Sequence, residues 1–300
     1  LKVAQIGIPW QILSSSSDFR RFLITGNNLK RPIRPKWAHK KSFGEVIVIG
    51  GSKQYKGAPI LSALGALKSG AGVVKILGLS EICSLAIAHD PSLLCYEMDE
   101  LKIEDVRSIL QTCSTKAIVI VGPGWGQNDI PKKLDILRYL IKDIHNTIII
   151  DADGLNILSY ELELLKEKHL SKHIILTPHP GEFSRLTHFG IEEVKQNYIL
   201  VEEFSNYYDV ITILKDASTI ISDGKHTYFN ISGNTSLSKA GSGDILSGII
   251  ASLISQGMEI LEATKTAVYL FGLAGEAIET EGANSSFDVI SKIPIVLGKI

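Results

Sequence analysis

The chain has 300 residues, 45% of them hydrophobic and 21% charged, with 31 Lys and Arg against 32 Asp and Glu. This composition is too apolar for a disordered chain and lacks the basic excess that holds a nucleic-acid backbone. At roughly 150 residues per domain it fits one large domain or two small ones. Apolar runs such as AIVIV at 117–121 are strand-sized, far below the ~18 residues of a membrane span. The start, LKVAQIGIPW, has no basic segment leading into an apolar stretch, so no secretory signal is expected. Leu1 stands where a Met would open a chain, and the sequence is expected to begin inside a longer product. Cys83, Cys95 and Cys113 are too few and too scattered for a disulfide framework or a thiolate metal site, and the eight histidines form no metal-binding spacing. The expected setting is a reducing cytoplasm, with neither membrane nor nucleic acid as partner.

Residues 1–38 hold SSSSD at 14–18, GNN at 26–28 and RPIRP at 31–35. Such polar, Gly- and Pro-bearing stretches rarely build a core, so this part reads as an arm or linker and 39–300 as the main domain. From Glu45 the pattern changes. EVIVIGG (45–51), GVVKIL (72–77), KAIVIVGPG (116–124), NTIIIDADG (146–154) and HIILTPHPGE (173–182) are strand-like runs that stop in Gly, Asp or Pro. Segments with helical spacing lie between them, such as 59–72 and the stretch after Asn128. Apolar strands alternating with helices predict an α/β fold: a mostly parallel central sheet with helices on both faces. VITILKD (210–216), STIISDG (218–224) and HTYFNIS (226–232) follow one another through short turns and predict antiparallel strands added near the C-terminal end. In open α/β sheets the ligand crevice lies at the carboxyl ends of the strands, and here those ends carry GGS, GPGWG, DADG and TPHPGE. Any one loop can be a mere turn; the four together point to a site.

The most informative stretch is GNTSLSKAGSGDILSGIIASLISQG at 233–257. Ile245, Leu246, Ile249, Ile250, Leu253 and Ile254 recur at helical spacing, predicting a helix from about Gly243 to Gln256. Gly241, Ser242 and Gly243 precede it. Small residues at a helix N-terminus let backbone N–H groups approach a phosphate and form an anion hole. Asp244 has two readings there: an N-cap satisfying orphan donors, or a base taking a proton from an alcohol, with its pKa lowered by the site. The glycine-rich entry favours the base. GxxxxGK[ST], GxGxxG after the first strand, and GxSxG are all missing from the sequence, so phosphate chemistry would rest on another architecture.

These motifs together resemble the NAD(P)H-hydrate dehydratases, a family with the ribokinase-like fold. The matching segments are HKKSFGEVIVIGGSKQYKGAP (39–59), GPGWGQ (122–127), DADGLNIL (151–158), LTPHPGEFSRL (176–186), LKDASTIISDG (214–224) and GNTSLSKAGSGD (233–244). Lys41 and Trp125 depart from the pattern, where Gly and Leu are expected. QIGIPW at 5–10 looks like the tail of the epimerase domain that many bacterial members carry in front, and epimerase activity is not expected of this chain. The resemblance implies a nucleotide-dependent lyase. The hydroxyl of (6S)-NAD(P)H hydrate is phosphorylated, orthophosphate is lost and NAD(P)H returns. Mg2+ is the implied cofactor, without an assigned protein ligand, and ADP (or ATP) the co-substrate, with ADP favoured.

Residue by residue, the resemblance makes Asp244 the base and places Ala58, Gly126, His179 and Asp244 around the hydrated cofactor. It places Lys215, Asp216, Ala217, Ser218, Thr219 and Gly243 on the nucleotide, with Asn234 in support. Without the resemblance, Ala58 reads as helix packing, Gly126 as a turn, His179 as a loop histidine and Lys215 as a solvated strand-end charge. Asp151 and Asp153 read as a cap for the next helix in preference to magnesium ligands. A homo-oligomer is implied, as is an NAD(P)H-hydrate epimerase on the same or a separate chain. Two alternatives remain: a kinase of the same fold acting on a hydroxymethyl-pyrimidine, thiazole or vitamin B6 alcohol, and a non-catalytic nucleotide-binding module.

Overall fold

Runs of Ile and Val without polar alternation suit strands buried on both faces, and the sheet is built from them. The structure is a computed structural model that describes residues 20–170 and 172–299; QIGIPW lies outside the described residues. The strands are β1 (Arg21–Leu23), β2 (Glu45–Ile49), β3 (Val73–Leu79), β4 (Leu94–Met98), β5 (Ile118–Val121), β6 (Ile148–Ile150), β7 (Ile174–Leu176), β8 (Ile211–Leu214), β9 (Thr219–Ser222) and β10 (Thr227–Asn230). They form one sheet in the order β1-β10-β9-β8-β7-β6-β5-β2-β3-β4. Every neighbouring pair from β8 through β4 is parallel, and β9 runs antiparallel to both β8 and β10. The expected mostly parallel sheet with an antiparallel addition is therefore present. β1, inside the stretch read as an arm, pairs parallel with β10 (Arg21 with Thr227). Next to it Ile24 is buried, and Arg21 makes a two-point ion pair with Glu202.

The helices are α1 (Gly57–Lys68), α2 (Ser80–His89), α3 (Ile103–Gln111), α4 (Ile130–Lys142), α5 (Asp153–Leu158), α6 (Pro180–Thr187), α7 (Ile191–Gln196), α8 (Ile199–Tyr208), α9 (Ser242–Ser255), α10 (Ile260–Glu276) and α11 (Ser286–Leu297). Successive strand residues point to opposite faces, which divides the core in two. Val46, Val48, Ile118, Ile120, Ile149 and Ile213 pack with α1, α9, α10 and α11. Ile47, Ile49, Val119, Val121, Ile150 and Leu176 pack with α4, α5, α6 and α8. Trp125, one of the departures from the family pattern, is fully buried in this second layer.

Two features of this packing aim the site. The chain leaves β2 toward β3 on one side and resumes at β5 on the other, so the order in which strands are added reverses between β2 and β5. A crevice opens at such a switch point, and there the two loops interlock through the Gly51 N–H, which donates to Pro123 O at 2.8 Å. The second feature is the contact of α9 with α1. A Cβ added at Gly248 would lie 2.0 Å from Ser62 O, and one at Gly65 would lie 2.6 Å from Ile245 O. Backbones this close leave α9 no freedom to slide, and its N-terminus is fixed over the sheet.

Candidate active site

A cavity of about 730 Å³ opens beside that N-terminus. Its wall includes Asp151 and Ala152 after β6, His179 and Glu182 after β7, Lys215 to Ala217 and Thr219 after β8, Asn234, and Gly241 to Asp244. Val268, Phe271 and Gly272 of α10 add an apolar side. Ser218 is exposed and stands outside this wall.

Gly241 is the N-cap of α9, at φ +86°, where its missing Cβ spares a contact with Leu61. Asp244 is the third residue of the helix. It is therefore not the N-cap, and among the described residues its carboxylate accepts no hydrogen bond. The first-turn N–H groups of Gly243 and Asp244 have no intrahelical acceptor. The Ser242 N–H is engaged with Lys239 O at 3.2 Å, while its buried hydroxyl has no partner. The cradle thus consists of two backbone donors and one hydroxyl.

Lys215 is no solvated charge. Its Nζ donates to Oδ1 of the fully buried Asp151 at 2.8 Å, and a Cβ on Gly243 would fall 2.9 Å from that Nζ. Burial pulls the lysine's pKa down, but Asp151, Glu182 and Asp244 outweigh it and the net shift is upward. The expected lowering at Asp244 is overturned. Burial, reinforced by Asp151, pushes its pKa well above the ordinary carboxylate value, and Lys215 only partly opposes this. The helix dipole loses to desolvation because three more carboxylates, Asp151, Glu182 and Asp153, bear on the same space.

The cap expected of the DADG aspartates is also corrected. The N-cap of α5 is Ala152, without a side-chain cap. Asp151 accepts from Lys215 and from the Ala152 N–H, and its buried Oδ2 has no partner. Asp153 Oδ2 accepts the Gly126 N–H at 2.8 Å. Ala152 sits at φ +52°, ψ −123°, a strain on the order of 1–3 kcal/mol for a residue with a Cβ. His179 caps α6: its Nδ1 accepts from the N–H groups of Gly181 (3.0 Å) and Glu182 (3.2 Å), while Glu182 Oε2 accepts the His179 N–H at 2.8 Å. The ring is therefore neutral, with its proton on Nε2, consistent with a pKa lowered by burial and by Lys215.

Ala58 and Gly126 stand apart from the cavity wall, on the segments that follow β2 and β5 at the switch point. A Cβ on Gly124 would lie 3.0 Å from the Ala58 Cβ, and one on Gly126 would lie 3.7 Å from Ser52 Oγ. The Gly126–Asp153 bond ties this loop to the residue next to Ala152 of the cavity wall, and Asp244 lies within electrostatic reach of Asp153. The geometry is a helix N-terminus with free donors, a lysine–carboxylate pair and an unengaged carboxylate, next to the glycine-rich loop that follows β5.

Residues 46–294 match the NAD(P)H-hydrate dehydratase family. The chain belongs to that family. It is 32% identical over 316 residues to the bifunctional NAD(P)H-hydrate repair enzyme of Moorella thermoacetica, covering 99% of this chain and 57% of that protein. It is 33% identical over 250 residues to the ADP-dependent (S)-NAD(P)H-hydrate dehydratase of Neisseria meningitidis serogroup B, covering 82% and 81%. The crystal structure of a ribokinase-like superfamily protein from Enterococcus faecalis superposes with a TM-score of 0.80 at 24% identity, over 93% of this chain and 96% of that one. The chain spans about half the length, 57%, of the Moorella repair enzyme. Two buried charged residues, Glu182 on the cavity wall and Lys133 behind the loop that follows β5, had no role in the sequence reading. Glu182 was visible as the acid three residues after His179, a capping-box spacing. Lys133 gave no signal, because nothing in the sequence says that a lysine of α4 turns inward.

Proposed function

We propose that this chain dehydrates (6S)-NAD(P)H hydrate to NAD(P)H at the expense of a nucleotide, ADP in preference to ATP. The observation that carries the reading is Asp244: an unengaged carboxylate beside the Gly241–Gly243 cradle and the Lys215–Asp151 pair. The nucleotide phosphates would lie on the Gly243 and Asp244 N–H groups and the Ser242 hydroxyl, with Lys215 to Thr219 along the AMP part. The hydrate would lie toward Ala58, Gly126 and His179, with its hydroxyl at Asp244.

In the ionised state Asp244 accepts the hydroxyl proton as the hydroxyl oxygen attacks the terminal phosphorus and AMP leaves. The resulting ester loses orthophosphate as the ring nitrogen's lone pair moves in. Proton loss from the neighbouring carbon then restores the double bond. A carboxylate with a raised pKa is a stronger base than an ordinary one, and the lysine and cradle donors stabilise the charge of the transferring group. Mg2+ would fit the orphaned Oδ2 of Asp151, because a nucleotide-bound magnesium needs only one or two protein carboxylates. Asp151 would hold it, leaving Asp244 free as the base, and the ion would supply charge neutralisation at the phosphoryl group.

We further infer that an NAD(P)H-hydrate epimerase, on the same or a separate chain, acts alongside this enzyme, and that the enzyme works in the cytoplasm as a homo-oligomer. No helix among the described residues is long and apolar enough to cross a membrane. The test is recovery of reduced-nicotinamide absorbance from the hydrate with ADP, with ATP and without nucleotide. Recovery is expected only with nucleotide and magnesium, with orthophosphate released. A stable phosphorylated product would favour the kinase, and binding without turnover the non-catalytic module.

A further inference from the structure

One buried charge has no part in those steps. Lys133 of α4 is 6% exposed, and its Nζ is surrounded by oxygens of a single loop. It donates to Trp125 O (2.9 Å), Gly126 O (3.0 Å), Asn128 O (2.5 Å) and Asn128 Oδ1 (2.9 Å). An ammonium has three protons, so the four acceptors use it fully. From the other side Asp153 takes the Gly126 N–H. The Gly126 residue is thus gripped through its carbonyl by Lys133 and through its N–H by Asp153. Left alone, this loop would be loose: Gly122, Gly124 and Gly126 have φ of +111°, +68° and +70°, and glycines pay the largest entropy on ordering. Burying an ammonium is costly unless it is matched by acceptors. Burial does draw the Lys133 pKa down, with Asp129 and Asp153 opposing.

We propose that Lys133 is a positioning residue for the hydrated-nicotinamide half of the site, acting through the 125–128 loop to fix Gly126 where the substrate meets it. This rests on the dehydratase reading and on the role of Gly126 within it. The nucleotide half, at 215–219 and 241–243, takes no contact from Lys133, so the two ligands should respond differently.

The test compares wild type with Lys133→Met and with Asn128→Ala, which removes one of the four acceptors from an exposed position. NADPH and ADP binding are measured by calorimetry, hydrate turnover by initial rates, and loop order by deuterium exchange. Lys133→Met should weaken NADPH and raise the hydrate KM by about tenfold, with kcat and ADP affinity within about twofold of wild type. Exchange should quicken over 122–128. Asn128→Ala should move the same quantities by about two- to threefold, and it decides the matter if the first variant does not fold. Unchanged NADPH binding and KM, or an equal loss of ADP affinity, overturns the inference. Wild type that binds NADPH without converting the hydrate refutes the dehydratase reading alone, and the variants' NADPH affinities still decide this one. Wild type that does not bind NADPH overturns both.

Discussion

Asp244, Lys215 and Glu182 share one volume, and their protonation states depend on one another. Lys215 lowers the pKa of Asp244 against burial and Asp151. Lys215→Gln removes that help, so the acid limb of the pH–rate profile should move up by about one unit. A limb left in place at saturating nucleotide would take Asp244, or its coupling to Lys215, out of the mechanism. Burial raises Glu182 to about 7. A carboxyl whose folded pKa exceeds its unfolded one holds a proton that the unfolded chain has released. Stability is then lost as pH rises from about 4.5 toward 7, by roughly 3 kcal/mol at most. Glu182→Gln keeps an acceptor for the His179 N–H and should flatten that loss. Urea midpoints of both proteins at the two ends of the window check this, and parallel pH dependences would contradict it.

At the scale of elements, α9 matters most because its N-terminus is the proposed phosphate cradle. Gly248→Val forces a Cβ into Ser62 O, 2.0 Å away, and should cost about 3 kcal/mol as α9 is pushed off α1. Nucleotide affinity should fall as the cradle shifts; wild-type melting and affinity would show that the close approach is dispensable. The α9 segment was plain in the sequence, since its apolar period and glycine entry are both local. So were β2, β3, β5, β6 and β7, whose β-branched runs suit strands buried on both faces. β4 was missed because LCYEM, on the sheet edge, has only Met98 buried and carries a glutamate. β1 was missed because its three residues lie among polar and Pro-bearing neighbours. The charge states at the site were beyond the sequence for a different reason. Asp151 and Lys215 are 64 positions apart and meet only through the pairing of β6, β7 and β8. No local pattern reports that desolvation and neighbouring carboxylates outweigh a helix dipole at Asp244.

Over the whole molecule, the switch-point loops and the α9 N-terminus are linked by Asp153, which accepts the Gly126 N–H and bears on Asp244. A two-substrate transfer needs this arrangement: a nucleotide anchored on one side, a hydroxyl presented from the other, and one carboxylate within reach of both. Ligand that binds only the folded state adds about 2.7 kcal/mol of stability at a hundredfold excess over Kd. ADP should therefore raise the melting temperature of wild type and of Asp244→Asn alike, since the cradle does not need that charge. The most direct measurement follows 340 nm absorbance, characteristic of reduced nicotinamide, from purified hydrate with ADP and magnesium, for wild type and Asp244→Asn. The account predicts recovery by wild type only when nucleotide is present, and a rate lower by about 10²–10⁴ in a variant that still binds ADP. Recovery without nucleotide, or an unimpaired Asp244→Asn, would contradict it.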